Sequence, residues 1–198
     1  MIRERYKPIS SRSLASCRPS GLPEAMMPTR VALDSPAIEV MTDLRRVAAA
    51  SLHPDLTWTQ ANDAMILRGV RLLLVVSDDG MVIGTLSAAD LLGERPLQLA
   101  MERGTKRDEL TVRDLMVAAD SADVIDLDDV LHAEVGHVVA TLKSLGRQHL
   151  LVVDKDATEG PMVRGIFSAT QIARQLGVAL QTTEIARTFA QIESAMVA

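Results

Sequence analysis

Aromatic residues are nearly absent from this chain of 198 residues, since Phe, Tyr and Trp together make up only 2% of it. A core without rings must be filled by aliphatic and methionine side chains, and a bound base would lie between such side chains. Proteins that bind single-stranded nucleic acid depend on aromatic stacking platforms. The net charge of −5 also provides no basic surface for a phosphate backbone. These two properties argue against a nucleic-acid-binding protein.

Cysteine, long apolar runs and catalytic motifs are equally scarce. Cys17 is the only cysteine, so no internal disulfide can form, which is typical of a reducing, cytoplasmic setting. No run of about 18 apolar residues is present, so we predict no membrane-spanning helix. Glu134 and His137 have a metal-ligand spacing that occurs only once, and we predict no metal site. We expect a cytoplasmic protein that is not an enzyme and requires no cofactor.

The two ends of the chain differ from its centre. The first 37 residues contain five prolines and six Lys or Arg residues. We favour an extended arm over an organellar transit peptide, for which an Arg- and Ser-rich segment is also typical. Residues 182–197 place Ile185, Phe189 and Ile192 on one face of a predicted helix. This helix either packs on the body of the protein or takes part in a dimer contact.

The central part of the chain begins with a unit of helix, strand, strand and helix. Apolar spacing predicts a helix over residues 57–68, and the glycine that follows is placed to cap it. The continuous apolar run at 72–76 predicts a strand that is buried on both faces. An Asp-Asp-Gly turn leads to a returning strand at 81–86, and a second helix begins near Ser87.

The same unit recurs further along the chain. A helix is predicted at 134–145, the Leu-Val-Val triplet at 74–76 recurs at 151–153, and Gly84 matches Gly165. The stretch between the triplet and the glycine is longer in the second copy, which places an insertion in its hairpin loop. Insertions in surface loops cost little. The centre of the chain is therefore an internal repeat.

Each copy of the repeat places two polar side chains, three residues apart, at the start of its last helix. The pairs are Ser87 with Asp90 and Ser168 with Gln171. A helix start after a glycine-containing strand is a place where backbone donors meet a ribose- or phosphate-bearing ligand. The same spacing is that of a capping box, in which the side chains satisfy backbone donors. Both interpretations stay open for Asp90, and we favour capping for Gln171.

The order and the duplication of these motifs resemble the cystathionine-β-synthase (CBS) domain pair, also called a Bateman module, over about residues 40–177. The resemblance implies an α/β fold of two CBS units, each a small three-stranded sheet with two helices, packed as a pseudo-two-fold pair. The chain then divides into an N-terminal arm (1–37), unit 1 (38–95), a connecting helix and loop (96–110), unit 2 (111–177) and a C-terminal helix (178–198).

The resemblance also implies ribose-binding residues. In the family, clefts between the units bind adenosine compounds such as AMP, ADP, ATP, S-adenosylmethionine or NAD. The ribose-binding pattern is a Ser or Thr followed by Asp three residues later, after a glycine. Ser87 and Asp90 match this pattern, with Gly84 and Thr85 on the approach. The second copy carries Gly165 and Ser168 but has Gln171 in place of the aspartate.

Base and phosphate positions follow from the same resemblance. In the family the base is held by the segment before the first strand, which here is 48–52 with Ala50 and Ser51, and its weaker counterpart is 125–129. A basic residue before the apolar strand often lies near the phosphates, and Arg71 and His149 come closest to that position. We therefore expect an adenine nucleotide as a regulatory ligand.

A regulatory role is what the resemblance implies, because CBS modules usually dimerise and control a partner enzyme or transporter. We expect a homodimer that senses an adenosine compound and acts on a protein partner as yet unidentified. A ligand-free scaffold used only for assembly is the alternative. An enzyme acting on nucleotides is disfavoured, since the sequence shows no base–nucleophile pair.

Overall fold

The computed structural model describes residues 30–158 and 160–178. In chain order the strands and helices are β1 (Thr42–Asp43), β2 (Ser51–Leu52), α1 (Trp58–Arg68), β3 (Leu72–Val76), β4 (Val82–Ser87), α2 (Ala88–Leu92), α3 (Arg95–Arg103), α4 (Val112–Leu115), β5 (Val117–Ala118), β6 (Val124–Asp126), α5 (Leu127–His132), α6 (Val135–Leu145), β7 (His149–Asp154), β8 (Met162–Ser168) and α7 (Ala169–Gln175). The expected C-terminal helix and most of the expected arm lie outside the described residues.

Two four-stranded sheets form the framework, with strand orders β2-β3-β4-β5 and β1-β8-β7-β6. An antiparallel hairpin is central to each, β3 with β4 and β7 with β8. A parallel strand flanks each hairpin on one side, β2 beside β3 and β6 beside β7. The α/β class and the two-unit fold are confirmed, but each sheet has a fourth strand in addition to the three expected.

The fourth strand of each sheet comes from the other half of the chain. β1 lies near the start of the expected first unit yet pairs antiparallel with β8, while β5 follows the connecting segment and pairs with β4. Strand pairing therefore crosses the unit boundaries expected at 38–95 and 111–177, and those boundaries stay a prediction. Two-residue strands have no apolar period of their own, so local sequence gives no sign of their partners.

Gly84 and Gly165 allow each sheet to take a strand from the other half of the chain, because each glycine lies where that strand approaches closely. A methyl group at Gly84 would lie 2.6 Å from the backbone oxygen of Val117, just before the paired residue of β5. A methyl group at Gly165 would lie 2.6 Å from Cγ of Met41, which precedes β1. The sequence match between the two glycines thus has a packing cause.

Capping residues determine where α1 begins and ends. Thr57 accepts a hydrogen bond from the Gln60 N–H, and the Gln60 side chain accepts one in return from the Thr57 N–H at 2.9 Å. Gly69 ends the helix in the left-handed conformation, with a φ of 63°. Ala61 and Met65 are buried on the inner face of the helix. The predicted helix over 57–68 is confirmed to within one residue.

Each sheet has its own hydrophobic core. The core of the first sheet is aliphatic, with Leu73, Leu86 and Leu115 fully buried and Met65 among its members. The core of the second contains the buried ring of Phe167 together with Leu142 and Ile172. Over the described ranges, no helix is long and apolar enough to cross a membrane.

Candidate functional site

A cleft of about 110 Å³ lies where the start of α2 faces the end of α6 and the start of β7. Unit 1 and the strand added to its sheet form one wall, and residues 122–151 form the other. Its lining residues are Leu72, Thr85, Ser87, Ala89, Asp90, Val117, Ala122, Asp123, Gly146, Arg147, Gln148, His149 and Leu151. The cleft is thus a site to which both halves of the repeat contribute.

At the start of α2, Ser87 and Asp90 form a complete capping box. The Asp90 N–H donates to Ser87 Oγ at 3.2 Å, and Asp90 Oδ2 accepts from the Ser87 N–H at 2.9 Å and from the Ser87 hydroxyl at 2.5 Å. All three bonds leave Asp90 Oδ1 without a partner among the described residues. The carboxylate of Asp90 is therefore held in place by its capping role, and the residue lines the cleft.

On the opposite wall, His149 begins β7 and is half-buried. Burial and, to a smaller extent, the nearby positive charge of Arg71 lower the pKa of His149 to about 4, while Asp90 acts in the opposite direction. The imidazole is therefore neutral at pH 7. It can donate or accept a hydrogen bond, but it contributes no positive charge to the cleft.

Arg147 and Asp123 lie beside each other on the same wall, with Arg147 Nε 3.5 Å from Asp123 Oδ2. Sequence reasoning missed both residues. Strand register aligns Ser51 with Leu74 and Val124 with Leu151, so the true counterpart of the segment around Ala50 is the segment around Asp123. The segment 125–129, predicted from the sequence as the counterpart of 48–52, therefore lies too far towards the C-terminus.

A signal for the two added strands, β1 and β5, was present in the sequence. Val40-Met41 precedes β1 and Leu115-Met116 precedes β5, so each added strand follows an aliphatic residue and a methionine. Recognising this second repeated motif would have placed one short strand in each sheet. It would also have pointed to Val117, which lines the cleft next to Thr85.

The second copy of the helix start has a different set of bonds. Ser168 makes no side-chain capping bond, so the interpretation of Ser168 and Gln171 as a capping box is wrong. Gln171 Oε1 instead accepts a hydrogen bond from the Thr42 hydroxyl at 3.3 Å. The guanidinium of Arg71 donates to the hydroxyl of Thr170, the neighbour of Gln171. Gln60 forms a capping box at the same position of α1, so it is the bond to Thr42, and not the lack of charge, that distinguishes Gln171.

The structure brings some of the sequence-predicted residues together and separates others. Thr85, Ser87, Asp90 and His149 line the cleft. The other candidates do not line it, namely Gly84, Ala50, Ser51, Arg71, Gly165, Ser168 and Gln171. The assignment of all these residues to a ligand stays a prediction. No group of three or more His, Cys, Asp or Glu side chains in the described part of the chain is arranged to hold a metal ion.

Comparison with known proteins identifies the fold. The CBS domain family model matches residues 37–96. An uncharacterized conserved protein from Pyrococcus horikoshii is 20% identical, with a TM-score of 0.55, over 77% of this chain and 100% of that one. A conserved CBS domain protein of unknown function from Thermoplasma acidophilum is 20% identical, with a TM-score of 0.51, over 79% and 77% of the two chains.

A CBS-domain containing protein from Agrobacterium tumefaciens is also similar, at 16% identity and a TM-score of 0.50, over 67% of this chain and 88% of that one. Likeness at such identities shows the fold alone. Among curated proteins, no sequence matches this chain significantly. Residues 37–96 match the CBS domain family, and the two four-stranded sheets together have the fold of these structures.

Proposed function

We propose that this protein is a regulatory module that binds an adenosine compound in the cleft between its two halves, without catalysing a reaction. The observation that carries the proposal is Asp90, a carboxylate that lines the cleft and is fixed through Oδ2, while Oδ1 has no partner among the described residues. A ribose has two adjacent hydroxyl donors, and hydrogen bonds to an ionised acceptor are among the stronger ones. Fixing the carboxylate in advance lowers the entropy cost of binding.

The remaining walls suit a base better than a second polar group. Leu72, Val117 and Leu151 provide aliphatic surface on both sides of the cleft. Such surface can enclose an adenine ring by hydrophobic burial, in agreement with a chain that has almost no aromatic residues. Gln148 and His149 add neutral hydrogen-bonding groups that can contact the edge of the ring.

The size of the cleft suggests how binding would be transmitted. Its volume of about 110 Å³ is below the roughly 300–1,000 Å³ of pockets that enclose a drug-sized ligand. A whole nucleoside therefore favours an arrangement in which the two walls lie further apart. A ligand with higher affinity for one arrangement shifts the population toward it, which is the physical requirement for regulation.

The test compares two capping aspartates. Asp114 accepts comparable bonds at the start of α4, with Oδ2 accepting from the Thr111 N–H and hydroxyl, both at 2.8 Å, while its Oδ1 also accepts from Arg103 at 2.6 Å. Asp114 does not line the cleft. Thermal unfolding of the wild type, Asp90→Ala, Asp114→Ala and Gln171→Ala would be followed with adenosine, AMP, ADP, ATP, S-adenosylmethionine and NAD.

We expect both capping variants to lose about 1 kcal/mol of stability, the usual cost of a removed cap. A ligand at about 100 times its dissociation constant should stabilise the wild type by roughly 2.7 kcal/mol. This response should disappear in Asp90→Ala and persist in Asp114→Ala and Gln171→Ala. A ligand response that survives in Asp90→Ala contradicts the site, and turnover of any of these compounds contradicts a purely regulatory role.

The complete capping box also favours a second candidate, a ligand-free scaffold in which Asp90 only stabilises α2. In that case no compound changes the unfolding of the wild type. The homodimer, the protein partner and the cytoplasmic location belong to the main proposal. Several large apolar side chains on α1 to α3 are exposed and support a contact surface there, namely Ile66, Leu67, Leu92, Leu97 and Met101.

A further inference from the structure

We infer that the ligand of this cleft is an adenosine compound without phosphate, either uncharged or positively charged at its 5′ position; this inference rests on the proposed function. Phosphate groups are bound in proteins by free guanidinium or ammonium groups or by unpaired backbone N–H groups. Among the described residues, the lining of the cleft offers no cation without a carboxylate partner and no cluster of open N–H groups. Its charges instead match a neutral or cationic substituent.

The charge of the lining is negative. Asp90 and Asp123 are its two carboxylates, and Arg147 is its one guanidinium. His149 is neutral at pH 7, because burial lowers its pKa to about 4. The lining therefore has a net charge of −1, and a nucleotide carrying two or more negative charges would be repelled by it.

Both cations near the cleft are already engaged. Arg147 lies 3.5 Å from Asp123, so a phosphate would have to compete with a carboxylate for it. Arg71, which influences the pKa of His149, donates to the hydroxyl of Thr170 and does not line the cleft. A phosphate near Arg71 and His149, as the family resemblance implies, is therefore not favoured here.

Two of the backbone donors at the start of α2 are engaged as well, which leaves at most the N–H of Ala89 open there. The Ala88 N–H donates to the Arg71 carbonyl oxygen at 2.9 Å, and the Asp90 N–H donates to Ser87 Oγ at 3.2 Å. The helix itself has only five residues. The cleft thus lacks the cluster of open N–H groups with which longer helices bind anions.

The experiment is isothermal titration of the full chain at low ionic strength. Its probes are adenosine, 5′-methylthioadenosine and S-adenosylmethionine on one side, and AMP, ADP and ATP on the other. We expect each phosphate-free compound to bind at least about tenfold more tightly than AMP, with the affinity falling further from AMP to ATP. S-adenosylmethionine should bind no more weakly than adenosine.

Asp123→Asn tests the cause of this preference. The substitution removes one carboxylate and frees Arg147, so AMP should gain about tenfold in affinity while adenosine changes little. Asp120→Asn is the matched control, because it removes the same charge from an exposed residue three positions earlier that does not line the cleft. We expect Asp120→Asn to leave the affinity ratio of adenosine to AMP unchanged.

The possible outcomes separate this inference from the proposed function. Tighter binding of AMP or ATP than of adenosine overturns the inference and leaves the proposed function in place. Binding of none of the six compounds overturns the proposed function. An equal change of the affinity ratio in Asp123→Asn and Asp120→Asn overturns the role given to the Asp123–Arg147 pair.

Discussion

The two copies of the strand-to-helix turn are alike in sequence, yet they form different bonds. In the first copy the side chains of Ser87 and Asp90 bond each other and the backbone at the start of α2. In the second copy Ser168 forms no capping bond, and the side chain of Gln171 bonds the hydroxyl of Thr42. The first helix start is thus a self-contained cap, whereas the second is tied to a neighbouring strand.

The added strand explains much of this difference. Thr42 of β1 and Val117 of β5 are equivalent in the two sheets, paired with Ile166 and Thr85 respectively. Thr42 offers a hydroxyl that satisfies Gln171, whereas Val117 has no polar group to offer Asp90. The first cleft therefore keeps an open carboxylate oxygen, and the corresponding place in the second copy is occupied by contacts within the protein.

The largest difference between the copies should appear when the two matched glycines are substituted. Gly84→Ala forces a methyl group against the backbone oxygen of Val117, and a backbone cannot yield without disturbing the pairing of β4 with β5. We expect a loss of about 2–3 kcal/mol, in the range of overpacked cores. Gly165→Ala meets the side chain of Met41, which can change rotamer, so about 1 kcal/mol is expected.

Urea unfolding of the two glycine variants measures both losses on one scale. Equal losses would contradict the view that the backbone of Val117 yields less easily than the side chain of Met41. The m-values should stay at the wild-type level, since neither substitution changes the surface that unfolding exposes.

A smaller difference should appear in the pH dependence of stability. Asp43 of β1 accepts hydrogen bonds from the guanidinium of Arg164 on β8, one of them at 2.9 Å, and these bonds lower the pKa of Asp43. The equivalent residues of the first sheet, Ala118 and Ile83, are apolar. Because the folded pKa is lowered, the stabilisation is complete above the ordinary value and is lost as pH falls through the folded value.

Asp43→Asn should therefore destabilise the protein at pH 7 and make its stability less dependent on pH below about pH 4. Urea unfolding between pH 7 and pH 2 provides the measurement. Asp120→Asn is the control, since Asp120 has no cation partner within the described residues. Parallel pH profiles for the wild type and Asp43→Asn would show that the Asp43–Arg164 ion pair does not contribute to the pH dependence of stability.

The smallest loss of stability is expected for a substitution of Arg71. Arg71→Gln replaces the exposed guanidinium that bonds Thr170 by the residue found at the equivalent position of the second copy, Gln148. We expect a loss of about 0.5 kcal/mol, the lower end for a hydrogen bond. Ligand affinity at the first cleft should stay within about twofold, measured by titration. A tenfold loss of affinity would instead place a phosphate beside Arg71.

Local sequence patterns accounted for the longer elements and for part of the site. The helix predicted at 134–145 is observed at Val135–Leu145, and the strand at 72–76 has the predicted bounds. Apolar period, left-handed glycines and capping residues act over a few neighbours, so they can be interpreted from the chain alone. Ser87 and Asp90 were recognised for the same reason.

The partners across the cleft were beyond the reach of local patterns. Asp123 and Arg147 belong to the other half of the chain from Asp90, and no period links them. The bonding of Gln171 also escaped prediction, because its partner Thr42 is 129 residues away. Such contacts are decided by the donors and acceptors that another strand brings close. Because the strands concerned, β1 and β5, are only two residues long, the sequence gives little sign of them.

By itself, the sequence determined that this chain would build two similar α/β units, where most of their helices and strands would lie, and which helix start would carry a carboxylate. Apolar spacing and capping chemistry are local, and both occur in each copy of the repeat. Only the tertiary structure decided that β1 and β5 would cross between the halves and that one cleft would stay open. Those outcomes depend on side chains distant in the chain meeting in space, where close packing and charge determine which bonds form.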